Sequence, residues 1–482
     1  MNRKIVVYSI SRIMLISMAL MFIPLFVSIF TKEEWYVTMA FLKSIGISIL
    51  VFAPLAAIKP KNKMLFIKEG FVITALTWFL ISFFGCLPFY FSGQIPHLLD
   101  AYFEMVSGLT TTGASIITDL DVISGSILLW RSMSHFIGGM GVLVLALAVL
   151  PEISASSVHA MKAEVPGPQF GKLLPKLKSS ARILYTMYAI MTAILVLALI
   201  IAGMPFVDSI HHALATAGTG GFGIKNGSVA YYNSPIIEII LAVGMLVFGV
   251  NFNLYYMILV KRGKDALRSE ELKAYLLIVL FATLTIFLNT RFSYEDIKRG
   301  LLDSFFTVSS IITTTGFATV DYAKWPTLSK WVIILLMFIG GCAGSTAGGL
   351  KVSRVIISLK SAINEVKMMI NPERKVALLY DGKPLDRKVE RGIVSYLTIY
   401  FLLFAILMFA AAIKSPDFES SFSAVITTYN NVGPGLGIVG PTGNYSSFTH
   451  ISKFVLTFVM IIGRLEIFPV LILFAPSTWG RE

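Results

Sequence analysis

Four short segments rich in threonine and glycine interrupt an otherwise apolar chain. Their residue types are those that can strip water from an ion and hold it. They read Thr110-Thr111-Thr112-Gly113, Thr219-Gly220-Gly221, Thr313-Thr314-Thr315-Gly316 and Asn431-Val432-Gly433. Glycine lets the backbone enter conformations closed to other residues, so successive carbonyls can turn toward one axis. Threonine adds a hydroxyl oxygen beneath those carbonyls. A ring of uncharged oxygens suits a weakly hydrated monovalent cation such as potassium, whereas carboxylate rings would suit divalent ions. One such loop alone reads equally well as a turn or a helix-packing site. Four at equivalent positions read as a single four-sided filter.

The loops need elements to hold them at one depth. Two helices are expected first, near 5–31 and 37–58. Four helix pairs follow, near 70–91 and 126–150, 182–203 and 235–260, 273–290 and 328–361, and 393–413 and 450–475. Inside each pair lie a short helical segment and one of the loops. Leu98-Leu99-Asp100-Ala101-Tyr102-Phe103 aligns without gaps to Leu301-Leu302-Asp303-Ser304-Phe305-Phe306, and the register runs on to Gly113 and Gly316. Phe136-Ile137-Gly138-Gly139 likewise matches Phe338-Ile339-Gly340-Gly341. Internal repeats of this kind point directly to architecture. Repeats two and four match more loosely, so the expected pore is pseudo-fourfold. An even number of crossings separates the loops and gives all four one orientation, which argues against inverted-repeat transporters. Each short helix ends at its loop, where its partial negative charge favours a cation. The predicted fold is an all-α polytopic membrane protein. An N-terminal helix pair occupies 1–68, and the pore repeats occupy 69–160, 161–265, 266–375 and 376–482.

Composition agrees with a bilayer. Hydrophobic residues make up 56% and charged residues 14%, with a mean hydropathy of +0.78; a soluble domain carries about 25% charged residues. The net charge of +13 is distributed as a topology signal. Lys59, Lys61, Lys63 and Lys68 share one loop, and Lys162, Lys172, Lys176, Lys178 and Arg182 the next. Lys261 to Lys273 and Lys351 to Arg391 are also basic, while 92–129 holds no Lys or Arg. The positive-inside rule places the basic loops and both termini in the cytoplasm. No basic-aromatic module points to nucleic acid. Cys86 and Cys342 are too isolated for a disulfide framework or a metal site. Arg3-Lys4 and the apolar run after them read as a retained helix.

Gly340-Gly341-Cys342-Ala343-Gly344-Ser345-Thr346-Ala347-Gly348-Gly349 stands inside the helix expected at 328–361. Each glycine costs a helix about 1 kcal/mol relative to alanine. The helix should break there and leave a flexible loop below the filter, with Lys351 and Arg354 leading to the cytoplasmic side. Close helix packing is the other use of such glycines. Arg464 falls in the last helix, where an arginine costs about 2.5–3.5 kcal/mol on insertion scales, so it must face a cavity or a partner such as Glu466. Arg131, His135, Asn251 and Asn253 are further polar residues in apolar helices; Arg131 reads as snorkelling and His135 as packing. His211-His212 lacks the further ligands a metal needs. Asp100, Asp119, Asp121, Asp208, Asp303 and Asp321 are expected near the outer mouth, as cation attractors or as solvated loop carboxylates.

The four loops, their short helices and the helix pairs resemble the superfamily of potassium transporters that includes the TrkH, KtrB, fungal Trk and plant HKT families. The likeness spans nearly the whole chain, and the N-terminal pair and length favour the TrkH branch. It implies a potassium-uptake pore of a bacterial inner membrane, a homodimer, and a cytosolic nucleotide-binding subunit of the TrkA type. The filter would be Thr110, Thr111, Thr112, Gly113, Thr219, Gly220, Gly221, Thr314, Thr315, Gly316, Asn431, Val432 and Gly433. Gly340, Gly341, Gly344, Ser345, Gly348 and Gly349 would form an intramembrane gating loop, opposed by Arg464 in the permeation path. Potassium is then cargo held by the filter, with rubidium and sodium as competitors; no covalently bound cofactor is expected, and lipid surrounds the chain. Ala114-Ser115 and Val432-Gly433-Pro434 depart from a strict potassium filter and should loosen selectivity. The rival reading is a secondary transporter coupling potassium to protons or sodium, with Glu104 and Glu238 as candidate acids. No catalytic constellation, P-loop or dinucleotide fingerprint suggests an enzyme.

Overall fold

A computed structural model of the chain describes residues 1–60, 66–141, 177–371, 377–413 and 417–480. Lys61, Lys63, Lys162, Lys172, Lys176 and the second half of the helix expected at 126–150 lie outside them. Six of the described helices are long and apolar enough to cross a membrane, or up to eight if each of two bent pairs is one span. Arg3–Phe30 and Trp35–Ala57 form the N-terminal pair; Lys68–Phe91, Ala181–Ile201, Glu270–Ser293 and Arg387–Ala412 open the four repeats. The chain is a multi-pass membrane protein.

The second helices behave differently from the first. Only the third was expected to break. Thr327–Ile339 does end at Gly340, and the chain resumes as a helix over Val352–Ile370. However, Pro235–Phe248 and Phe252–Leu259 also meet at 88°, and His450–Arg464 and Phe468–Phe474 at 118°. The straight helices expected at 235–260 and 450–475 are therefore corrected. In repeat two the break falls at Gly249, where a side chain would come within 2.7 Å of the Tyr275 hydroxyl. Asn251 then starts the next helix by accepting the Asn253 N–H at 2.9 Å. In repeat four Glu466 and Ile467 both take positive φ, and Pro469 sits in the first turn that follows. A β-branched residue rarely adopts positive φ.

The short pore helices are Leu98–Leu109, Phe206–Gly218, Ile297–Ile312 and Phe418–Tyr429. Thirteen residues before each filter glycine stand Asp100, Asp208, Asp303 and Ser420. Two of these acids close the seams between repeats. Asp100 accepts from Lys453 at 2.9 Å, and Asp303 pairs with Arg299 at 2.7 Å while Arg299 reaches Glu238 at 2.9 Å. Glu238 and Lys453 are each the fourth residue of a second helix. Asp208 accepts from the Tyr232 hydroxyl at 2.8 Å. Asp100 and Asp303 are thus partnered in seams instead of facing the mouth, because a carboxylate removed from water needs a cation and hydrogen bonds.

Both chain ends lie on one face. The Asn2 N–H donates to Glu69 at 3.0 Å, and Lys68 donates to the Ser477 carbonyl at 2.6 Å. On the same face as the start of the third repeat, a small hairpin pairs Leu379–Tyr380 with Lys383–Pro384. On the opposite face Glu33, from the turn of the N-terminal pair, caps the repeat-one second helix by accepting the Ser126 N–H at 2.8 Å.

Candidate ion filter and gate

Each pore helix runs into a loop with the same backbone signature. A non-glycine residue takes positive φ, the next does not, and glycine takes positive φ again: Thr111 and Gly113, Thr219 and Gly221, Thr314 and Gly316, Asn431 and Gly433. Left-handed threonine is unfavourable by roughly 1–2 kcal/mol, so fourfold recurrence marks a conformation imposed by the surroundings.

The glycines also close a ring. A methyl group on Gly113 would lie 2.1 Å from the Gly220 carbonyl oxygen, and one on Gly221 1.9 Å from that of Thr315. One on Gly316 would lie 2.4 Å from the Val432 carbonyl oxygen, and one on Gly433 2.4 Å from that of Thr112. Every loop therefore touches the next in chain order, and the fourth returns to the first. Non-helical backbone at membrane depth persists only where protein buries it or where it lines an aqueous path. Outside the ring lies a vestibule of about 220 Å³ lined by Gly113, Gly221, Gly316 and Gly433 among others. Inside it lies a cavity of about 60 Å³ reached by Gly348, Lys351, Asn431 and Arg464.

Side chains buttress the ring from behind. Thr110 caps its pore helix, with its hydroxyl 2.7 Å from the Val106 carbonyl and 2.7 Å from the Thr112 hydroxyl. Thr313 and Thr315 repeat that link at 2.8 Å. In repeat two the equivalent of Thr112 is Gly220, because a Cβ there would sit 2.1 Å from the His135 ring. His135 bridges the Gly108 carbonyl and the Phe222 N–H. In repeat four Tyr445 donates to the Gly433 carbonyl at 2.7 Å, and Tyr322 donates to that of Pro434 at 3.1 Å. Between repeats one and two, Arg131 pairs with buried Glu104 at 2.6 Å, donates to the Gly223 carbonyl at 2.8 Å and covers the Phe222 ring. Arg131 does not snorkel. Glu104 also accepts from the Ser115 hydroxyl and the Ile116 N–H, and so braces the segment after the first filter loop.

Below the ring the glycine-rich segment leaves the helix as expected and forms a loop. Its base is laced by Leu350 to Phe338, Lys351 to Ile339 and Val352 to Gly341 backbone hydrogen bonds. It docks on the break of repeat two: the Cys342 N–H donates to the Gly249 carbonyl and the Phe252 N–H to that of Gly344, each at 3.0 Å. Its upper edge meets the filter, where the Gly348 N–H donates to the Thr314 hydroxyl at 2.6 Å. Gly340 and Gly349 are pressed together; a Cβ on Gly340 would come 2.8 Å from the Gly349 Cα.

Arg464 ends the helix His450–Arg464 beneath the first loop. Its guanidinium donates to the Thr111 hydroxyl at 3.0 Å and the Thr346 carbonyl at 2.8 Å. It also donates to the carbonyls of Gly138 and Gly139 at 2.6 and 2.7 Å, the negative end of the repeat-one second helix. Glu466, considered as its partner, is bound to Arg354. Arg354 also lies over the Tyr396 ring, 4.1 Å from its centre.

With this geometry in hand, the chain can be compared with known proteins. The TrkH family, described as cation transport protein, matches residues 37–480. The chain belongs to that family. It is 37% identical over 420 residues to the Trk system potassium uptake protein TrkH of Salmonella typhimurium, covering 86% of each chain. It is 32% identical over 470 residues to the protein of that name from Halomonas elongata, covering 95% of each. The Escherichia coli protein TrkG is 32% identical over 464 residues, covering 95% of this chain and 94% of its own. The crystal structure of the potassium transporter TrkH from Vibrio parahaemolyticus superposes with a TM-score of 0.89 at 30% identity, over 100% of both chains.

In this TrkH-family chain three more side chains, Asn430, Lys351 and Glu271, pack around the four loops and the glycine-rich loop beneath them. Asn430 stands in the register of Thr110 and Thr313, and its Oδ1 accepts from the Tyr400 hydroxyl at 2.7 Å. Lys351 is buried and its ammonium donates back to the Ala347 carbonyl within the loop. Glu271, buried in the first turn of its helix, accepts from two N–H groups of the loop region. A lone glutamate at a helix start carries no signal of such a role. His211 and His212 engage Ser132 and the Asp208 carbonyl, and no group of three potential metal ligands exists among the described residues.

Proposed function

We propose that this protein takes potassium up across a bacterial inner membrane through a gated, channel-like pore whose selectivity filter is built from backbone carbonyls. One observation carries the reading: the closed ring of glycine–carbonyl contacts that joins the four loops in chain order. Thr110 to Gly113, Thr219 to Gly221, Thr314 to Gly316 and Asn431 to Gly433 would replace the ion's hydration shell. The membrane potential supplies about 2.3 kcal/mol per charge per 100 mV, which concentrates a monovalent cation without ATP. Gly340 to Gly349 and Arg464 form the gate. The protein acts as a homodimer among membrane lipids, with both termini cytoplasmic and a TrkA-type nucleotide-binding subunit docked on its basic face. It is a transporter and not an enzyme.

Coupling to protons or sodium is the second reading. Glu104 and Glu238, the acids it would use, are held by Arg131 and Arg299, which favours the uncoupled pore. The deciding experiment is cation flux into proteoliposomes, comparing potassium, rubidium and sodium with and without pH and sodium gradients. Uptake that follows the potential and ignores both gradients supports the pore; uptake that needs either gradient overturns it.

A further inference from the structure

The helix Val352–Ile370 begins without a cap of its own. Its N-cap residue is Lys351, with φ +77° and no side-chain cap bond, and a lysine has no acceptor to offer. The first N–H groups of a helix need an acceptor from elsewhere, and an anion suits that end best. Glu271 supplies it from another helix. One carboxylate oxygen of Glu271 accepts the Ser353 N–H at 3.1 Å and the Ala343 N–H at 2.7 Å. Ala343 lies near the start of the glycine-rich loop and Ser353 just beyond its end. The same oxygen therefore ties both flanks of the loop to the helix Glu270–Thr290.

The neighbouring residue grips the same helix further along. Glu270 binds Lys360, and its own N–H donates to Asp381 at 2.8 Å in the turn of the small hairpin. Lys360 also donates to the Leu379 carbonyl at 2.9 Å. Two adjacent glutamates thus hold the helix Val352–Ile370 at its first and third turns. A hairpin at that face closes the second contact.

We infer that Glu271 is the positioning residue that keeps the gate loop beneath the filter, by capping the helix that follows the loop and fastening the loop's first half with the same oxygen. The inference rests on the gated-pore reading. When the helix Val352–Ile370 tilts away from Glu271, the Ser353 bond fails, and the carboxylate no longer ties the two flanks of the loop together. Hydrogen bonds to a charged acceptor are roughly twice as strong as neutral ones, so the anchor needs the carboxylate and not merely an oxygen.

The test uses the full-length chain in proteoliposomes, with Glu271→Gln and Glu271→Ala, and Glu271→Asp as a variant that keeps the charge. Two readouts are taken: rubidium uptake, and the rate at which a membrane-impermeant thiol reagent modifies Ser345→Cys in the inner cavity. Arg464→Ala is measured beside them. Glu271→Gln should raise both rates about tenfold, as expected for losing charge-assisted bonds, and Glu271→Ala should raise them further. Glu271→Asp should stay near the parent. Glutamine preserves shape and one acceptor, so it remains informative if the alanine variant does not assemble. Parent-like rates in Glu271→Gln, with both rates raised in Arg464→Ala, would overturn the role of Glu271 and leave the gate standing. Parent-like rates in Arg464→Ala as well would overturn the gate and this inference with it.

Discussion

The Arg464 guanidinium donates to the hydroxyl of Thr111 at 3.0 Å, so a fixed positive charge stands one hydrogen bond below the filter. Two unit charges 4 Å apart repel by about 4 kcal/mol at an effective dielectric of 20. In the proposed pore, a cation leaving the filter inward would meet that barrier. Arg464→Ala should raise rubidium uptake about tenfold or more in proteoliposomes with equal protein incorporation. Arg464→Lys keeps the charge but loses the planar fork that spans four oxygens, and should fall between the two. Uptake at the parent rate in Arg464→Ala would remove this residue from the path.

Gly316→Ser tests the ring. A Cβ at Gly316 would approach the Val432 carbonyl to 2.4 Å and Pro434 Cδ to 2.6 Å, at φ +89°. The loop must shift, and carbonyls of two neighbouring repeats shift with it. The expected outcome is a loss of potassium preference over sodium of about tenfold, equal to about 1.4 kcal/mol, read from competitive uptake. Unchanged preference would mean that the third loop does not set selectivity.

Glu104→Gln leaves Arg131 buried without its anion. Breaking one partner of a buried pair costs about 3–5 kcal/mol. The thermal midpoint in detergent should fall, and Glu104→Gln combined with Arg131→Met should recover part of the loss. If the single variant melts like the parent, the pair does not support the wall between repeats one and two.

The seam pair Asp100–Lys453 lends itself to a double-mutant cycle. Asp100→Ala and Lys453→Ala should each destabilise, and their effects should couple by about 1–3 kcal/mol in chemical unfolding. Additive effects would show that the fourth repeat is not fastened to the first through these side chains.

Asp119 gives a pH dependence beside the vestibule. Hydrogen bonds from the Asn226 amide and the Asp121 N–H hold its carboxyl below the ordinary carboxylate value. A depressed native value means a contribution present above the unfolded value, near 3.8, and lost as pH falls through the native one. Hydrogen exchange at Leu120, whose N–H donates to Asn226, should accelerate only at pH below about 4. Acceleration nearer neutrality would point to a different group.

Much of the architecture was legible because its signals are collective. The Leu-Leu-Asp register, the four glycine loops and the apolar runs repeat, and repetition separates them from chance. Arg464 was legible because a charge in an apolar helix demands an explanation. The bends at Gly249 and Ile467 were not. A single glycine or a proline in the next turn is common in helices, and only the structure shows Tyr275 packed against Gly249 and positive φ at two successive residues. The looser match of repeat two had a cause that sequence could not supply: the His135 ring fills the space where a threonine side chain would stand. The mouth acids misled because position near a loop does not distinguish Asp119, which faces water, from Asp303, which is buried against Arg299.

The ring of the filter closes where Gly433 meets the Thr112 carbonyl, residues separated by most of the chain. During synthesis the first quarter of the pore is threaded into the bilayer long before its last neighbour leaves the ribosome. Until then its loop lacks one of the walls that hold Thr111 in its left-handed conformation. Pairings so distant in sequence are slow to form. Such intermediates also leave polar backbone exposed. The membrane insertion machinery, or water, must therefore shelter three unfinished quarters, and a truncated chain that ends before residue 433 would be expected to leak or be degraded, not to conduct selectively.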